Sequence, residues 1–133
     1  MDIIKRIENI DGLRFTGGCS EEQLADAENV LGIKFPTEYA LYVREYGCIG
    51  FGSTEWTGLN VKGRLNVVDA TKREKELNKA FPEKCFLLDN WCIDGKMAVM
   101  HEDGRIYLLQ NESVTPLCNT LGEYLEMCVS NYQ

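Results

Sequence analysis

The chain has one histidine, three prolines and six cysteines, and no two of the cysteines form a C-x-x-C pair. One histidine with scattered cysteines offers no recognisable zinc-ligand spacing. Long apolar runs are also missing. No window approaches the roughly 18 consecutive apolar residues of a membrane span. Basic side chains are outnumbered 14 to 21, for a net charge of −7. Residues 1–66 carry 7 basic and 10 acidic side chains and residues 67–133 carry 7 and 11, so the acidity is no tail. Nucleic-acid binders show a basic excess, because phosphate neutralisation dominates their affinity. Direct contact with nucleic acid or an anionic membrane is therefore disfavoured, and a basic protein partner is favoured. The opening "MDIIKRIENIDG" carries Asp2, Lys5 and Arg6 and does not read as an export signal. The expected compartment is the cytoplasm, where the cysteines are reduced thiols packed mostly as small hydrophobes.

Catalytic signatures are equally scarce. His101 reads as a strand-end residue with no nucleophile pattern around it. "HEDGR" is not H-E-x-x-H, and no G-x-S-x-G occurs. "GCIGFGS" leads into no G-K-[ST], and "DNWCIDG" places Trp91 where a calcium loop needs an oxygen ligand. No catalytic residue, metal ligand or cofactor is assigned, and the chain is not expected to be an enzyme.

What is present describes one soluble α+β domain over residues 1–133, with 44% hydrophobic and 26% charged residues. Ile3, Ile4, Ile7 and Ile10 mark one face of a short helix closed by Asp11-Gly12. Ser20 with Gln23 forms a capping box, Leu24, Ala27 and Leu31 follow at helical spacing, and Gly32 suits a left-handed cap. Ile33 and Phe35 fill a joint before Pro36, placed in the first turn of a helix carrying Tyr39, Tyr42, Val43 and Tyr46. Those tyrosines read as core, with hydroxyls reaching the surface. Glu55–Leu59 and Arg64–Val68 are short apolar runs. Asp69 or Thr71 then caps a helix that Pro82 stops.

"KCFLLDNWCI", "KMAVMH" and "RIYLLQ" read as strands joined at Asp94-Gly95 and Asp103-Gly104, the turn chemistry of hairpins. Thr120 and Glu123 form a second capping box before Leu121, Tyr124, Leu125 and Cys128. The architecture expected is N-terminal helices packed on a largely antiparallel mixed sheet, with a closing C-terminal helix.

Two tryptophans sit beside acids, in "STEWTG" and "LLDNWCIDG". Tryptophan among polar residues is a plausible interface anchor, although burial in the domain's own core is the commoner fate. The expected partner surface is Asp89, Asp94, Glu102 and Asp103 grouped near Trp91, with Glu55 beside Trp56.

The stretch "SEEQLADAENVLGIKFPTEYALYVREYG" resembles the N-terminal signature of the SUKH superfamily, which includes the fungal Smi/Knr cell-wall regulators and many bacterial immunity proteins. The resemblance rests on Glu21, Glu22, Ala27, Glu28, Leu31, Gly32, Phe35, Pro36, Tyr39 and Gly47. It extends to about Val129 and is sharp in the first third. Where many members carry an Asn-Gly-Gly-like segment after the third helix, this chain reads "YGCIGFG". The resemblance implies a non-catalytic immunity protein, a monomer or weak homodimer that binds a basic toxin domain, often a nuclease in this superfamily. The alternative it implies is an adaptor or regulator of the Smi/Knr type that binds a cellular protein. A small hydrolase using carboxylates is the enzymatic alternative.

Overall fold

The computed structural model describes residues 2–132, with side chains as far as Ser130. Helices form where caps release them. In α1 (Ile3–Glu8) the Asp2 carboxylate accepts from the N–H groups of Ile4 and Lys5, and Ile3 and Ile7 are buried. After a two-residue strand β1 (Arg14–Phe15) comes α2 (Glu21–Leu31), with both bonds of the Ser20–Gln23 box made. Gly32 ends α2 at φ +67°, and its N–H donates to the Glu28 carbonyl. Nothing lies within 4 Å of where a Cβ would stand on Gly32. Gly32→Val is therefore expected to cost backbone strain alone, about 1–2 kcal/mol, read as a lower urea midpoint. An unchanged midpoint would show that the left-handed cap is not needed.

Pro36 stands at the N-cap of α3 (Thr37–Tyr46), one residue before the first turn that the sequence suggested. The joint is tied from α2, where the Glu28 carboxylate accepts the Phe35 N–H at 2.8 Å. Strands β2 (Ile49–Phe51) and β3 (Thr54–Glu55) complete an antiparallel sheet of order β1-β2-β3. The apolar runs expected over Glu55–Leu59 and Arg64–Val68 form no long strands. The second of them turns into α4 (Val67–Leu77), whose cap is Asn66 and not Asp69 or Thr71. Asn66 Oδ1 accepts from Val68 and Asp69. The helix stops at Leu77, well before Pro82, because Asn78 is extended and its side chain takes the Ala80 N–H.

A four-stranded meander follows: β4 (Cys85–Asn90), β5 (Lys96–His101), β6 (Ile106–Gln110) and β7 (Ser113–Cys118). Asp94 and Gly95 both have positive φ, as a type I′ turn requires. At the next hairpin only Gly104 does, and the loop is Glu102–Gly104, closed by His101 N–H to the Arg105 carbonyl. This is the three-residue loop with glycine in the left-handed position, not a two-residue turn.

Last comes α5 (Leu121–Tyr132). Thr120 Oγ1 accepts the Glu123 N–H, but Glu123 reaches back to the Asn119 N–H, so the expected box is skewed by one residue. Glu38 of α3 accepts from Leu121 and Gly122, docking the start of α5. The α+β class is borne out, with two antiparallel sheets instead of one mixed sheet. The isolated parallel bridge pairs Gly58 with Asn66.

The β4–β7 sheet is apolar on both faces. Phe86, Leu88, Ala98, Met100 and Ile106 belong to the main core with α1, α2, α3 and α5, whereas Cys85, Leu87, Val99 and Leu109 pack with Ala70 of α4 and with Phe81. The outer edge of β4 is closed by two threonines. Thr57 donates its N–H to the Leu88 carbonyl and its hydroxyl to the Leu87 carbonyl, and Thr71 Oγ1 accepts the Leu87 N–H. The Tyr39 and Tyr42 hydroxyls both donate to the Thr57 carbonyl, at 3.2 and 2.8 Å. They end inside the protein instead of at the surface, because this buried carbonyl needs donors.

Candidate functional site

Strand β4 is the element that builds the site. Its pairing with β5 runs Leu87↔Val99 and then Asp89↔Ala98, skipping Leu88. A bulge of this kind re-aims the side chains that follow it. Leu88 still enters the main core, and Asp89 pairs with Ala98, a residue of the same core face. Strict alternation would have sent Asp89 elsewhere. It is instead only 6% exposed, and its Oδ2 accepts a 2.7 Å hydrogen bond from the Tyr124 hydroxyl of α5. That hydroxyl in turn accepts from Trp91 Nε1 at 2.9 Å. Trp91 is half-buried just past the end of β4, its indole fixed by this relay.

Burial pushes the Asp89 carboxyl up to about 6, against the bond from Tyr124, and Glu55 adds to the rise. Burial, with the Asp89 charge second, also keeps the Tyr124 hydroxyl protonated, so it always has a proton to donate to Asp89. The Cys128 thiol beside them is pushed up to about 12, again mainly by burial. This set contains fixed donors, an aromatic face and one titrating carboxyl. It has no activated nucleophile. Among the described residues, no group of three or more His, Cys, Asp or Glu is placed to hold a metal.

Two depressions flank Trp91. The larger, about 490 Å³, runs past Glu55, Arg64, Arg73 and Glu74 on the α4 side. The smaller, about 200 Å³, is lined by Ser53, Thr54, Met127 and Cys128 together with the buried Asp89 and Tyr124. Glu55 forms an ion pair with Arg64 at 2.8 Å in the larger one. Glu74 Oε2 is buried there without a hydrogen-bond partner.

The structure divides the residues that the sequence singled out. Glu55, Asp89 and Trp91 come together. Trp56 is fully buried, edge-on to Tyr42 at 5.4 Å, and cannot serve as a surface anchor. Its side chain points inward because β3 ends at Glu55 and the chain then runs to the outer edge of β4, where Thr57 is bonded. Asp94 is exposed on the turn at the Trp91 end of the meander. Glu102 and Asp103 lie at the other end of β5, about 20 Å away at roughly 3.3 Å per residue.

Those two carboxylates have local work. Glu102 accepts the Lys34 N–H, and Asp103 accepts the Arg105 N–H. His101 Nδ1 accepts the Asp103 N–H at 3.0 Å, which suits the strand-end reading. The expected single patch is therefore split by hairpin topology. Tyr124, Ser53, Met127 and Cys128 were not singled out as site residues. Only Tyr124 carried a signal, a hydroxyl on an otherwise apolar helical stripe that must find a partner.

The chain is thus an α+β domain in which an aromatic side chain, bonded to Tyr124, stands between two clefts just past the end of an edge strand. The chain belongs to the SMI1-KNR4 cell-wall family: the family model described as SUKH_5 matches residues 1–130. The match bears out the resemblance read over about Ser20 to Val129 and adds the residues before it. No curated protein matches it. Among the described residues, no helix is long and apolar enough to cross a membrane.

Proposed function

We propose that this chain is a non-catalytic, cytoplasmic immunity protein that binds and neutralises a basic toxin domain, a nuclease being the class best matched to its charge. The reading rests on one observation above the others: a half-exposed tryptophan held rigid by Tyr124 and Asp89 between two clefts. A braced aromatic contributes contact area at little entropic cost, which is how interface anchors act. The net charge of −7 complements a basic enzyme surface and speeds encounter. Nucleic acid and membranes are not partners in this reading, and the protein acts as a monomer or weak homodimer.

Co-expression with a toxin domain encoded beside it tests the proposal, with survival as the readout. Failure to rescue cells from any neighbouring toxin domain would count against it. Trp91→Ala is expected to raise k_off at least about tenfold, while k_on falls as salt rises from about 0.05 to 0.5 M and the Debye length shrinks from about 14 to 4 Å. A k_off unchanged in Trp91→Ala would place the interface elsewhere. The cell-wall description of the family favours a second reading, a regulator that binds a cellular protein through the same surface. Binding to cell-wall regulatory proteins without toxin rescue would select it.

A further inference from the structure

The smaller pocket has a property that the proposed function does not require. Its lining includes a carboxylate that is almost fully buried, yet no basic side chain among the described residues forms an ion pair with it. The groups facing Asp89 are the Tyr124 hydroxyl and Cys128 thiol from α5 and, from β3, another acid, Glu55. None of them supplies a positive charge. A buried carboxylate is ordinarily matched by a cation or kept protonated. The walls suit the missing partner. Met127 and the Trp91 indole offer apolar surface for an aliphatic stem, Ser53 and Thr54 add polar wall, and about 200 Å³ is room for one long side chain.

We propose that this pocket receives a single basic side chain of the bound partner, its cationic head paired with Asp89 and its stem lying against Trp91 and Met127. The proposal rests on the binding reading above and names the group by which the partner is held. It also gives the bulge in β4 a purpose, because the register shift between Leu87 and Asp89 puts Asp89 opposite Ala98 and so on the wall of the pocket. Binding of a cation requires the ionised carboxylate. Affinity should therefore rise with pH until Asp89, pushed up to about 6 by burial, is fully deprotonated.

The test needs no toxin. N-acetyl-arginine methylamide is titrated into the protein, with tryptophan fluorescence and the Trp91 indole N–H resonance as readouts, and the citrulline analogue serves as the neutral isostere. The arginine probe should give a saturable change at pH 7.5 that is about tenfold weaker at pH 5, and citrulline should give none. Asp89→Asn should abolish the response. Ser53→Lys, which places a tethered amine at the mouth of the pocket and leaves Asp89 in place, should also block it. Equal response to citrulline, equal affinity at both pH values, or undiminished binding to Ser53→Lys would each overturn the proposal. Toxin rescue without probe binding would leave the immunity reading standing and sink this one. Probe binding without any toxin rescue would do the reverse.

Discussion

Asp89→Asn is expected to stabilise the protein at pH 7.5 by about 2–3 kcal/mol and to flatten its stability between pH 4 and pH 6. Burial pushes the carboxyl up from its usual 3.8 to about 6. At about 1.4 kcal/mol per pH unit, holding it ionised in the fold costs about 3 kcal/mol. The sign follows from proton counting. Below pH 4 the folded and unfolded chains both keep the proton. Between about 4 and 6 the folded chain keeps a proton that the unfolded chain has released, so stability falls as pH rises. Above 6 both are ionised, and the loss is complete.

Asparagine can still accept the Tyr124 hydroxyl and carries no charge to bury. Asp103 acts in the opposite direction and at lower pH. The Arg105 N–H holds its carboxylate below the usual range, so its contribution is lost as pH falls. Urea unfolding of both proteins at pH 4, 6 and 7.5 measures the difference. Equal stability at pH 7.5 would mean that Asp89 is solvated or matched by a cation. A stabilising substitution at this position is the expected mark of a residue kept for binding, since functional sites are where stability is given up.

Local chemistry carried most of the fold. The Ser20–Gln23 box, the Gly32 cap, the isoleucine face of α1 and the stripe of α5 depend on residues within a few positions of one another, and they are where the sequence places them. Hairpins at Asp94-Gly95 and at residues 102–104 were legible for the same reason. Strand β7 was not. It is an exposed edge with Pro116 inside it, and it shows none of the alternation that a half-buried strand writes into a sequence.

The site was legible in composition and illegible in geometry. Trp56 and Trp91 have similar acidic neighbours, and only the docking of the Thr57 segment on the edge of β4 decides that the first is core and the second half-exposed. The bulge at Leu88 has no sequence mark of its own. Because it was invisible, Asp89 read as a turn-side acid, grouped with Glu102 and Asp103 from the far end of the same sheet.

Gly58→Ala is expected to lower stability by about 3 kcal/mol or more, and Tm by roughly 10 °C for a chain of this length. Its φ is not in the left-handed region, so conformational freedom is not the reason. Space is. A Cβ on Gly58 would stand 2.0 Å from the Gly47 carbonyl oxygen and 2.9 Å from Cys48 Cα, both backbone atoms that cannot swing aside. Gly47, at φ +76°, is packed in turn against Gly17: a Cβ on Gly47 would stand 2.0 Å from the Gly17 carbonyl oxygen. Three segments of chain meet through these glycines: the turn before α2, the end of α3 and the crossing that leads to α4. Hydrogen bonds from Gly17 to Tyr46 and from Leu59 to Gly47 fasten the contact. Any shift of Gly58 also moves its neighbour Thr57, whose bonds close the edge of β4, and β4 carries Asp89 and leads into Trp91. Gly58→Ala should therefore weaken partner binding along with the fold, whereas Gly32→Val, remote from this junction, should weaken the fold alone. Thermal unfolding of the two variants beside partner affinity separates the cases. A Gly58→Ala protein as stable as the parent would show that the three segments can part without cost.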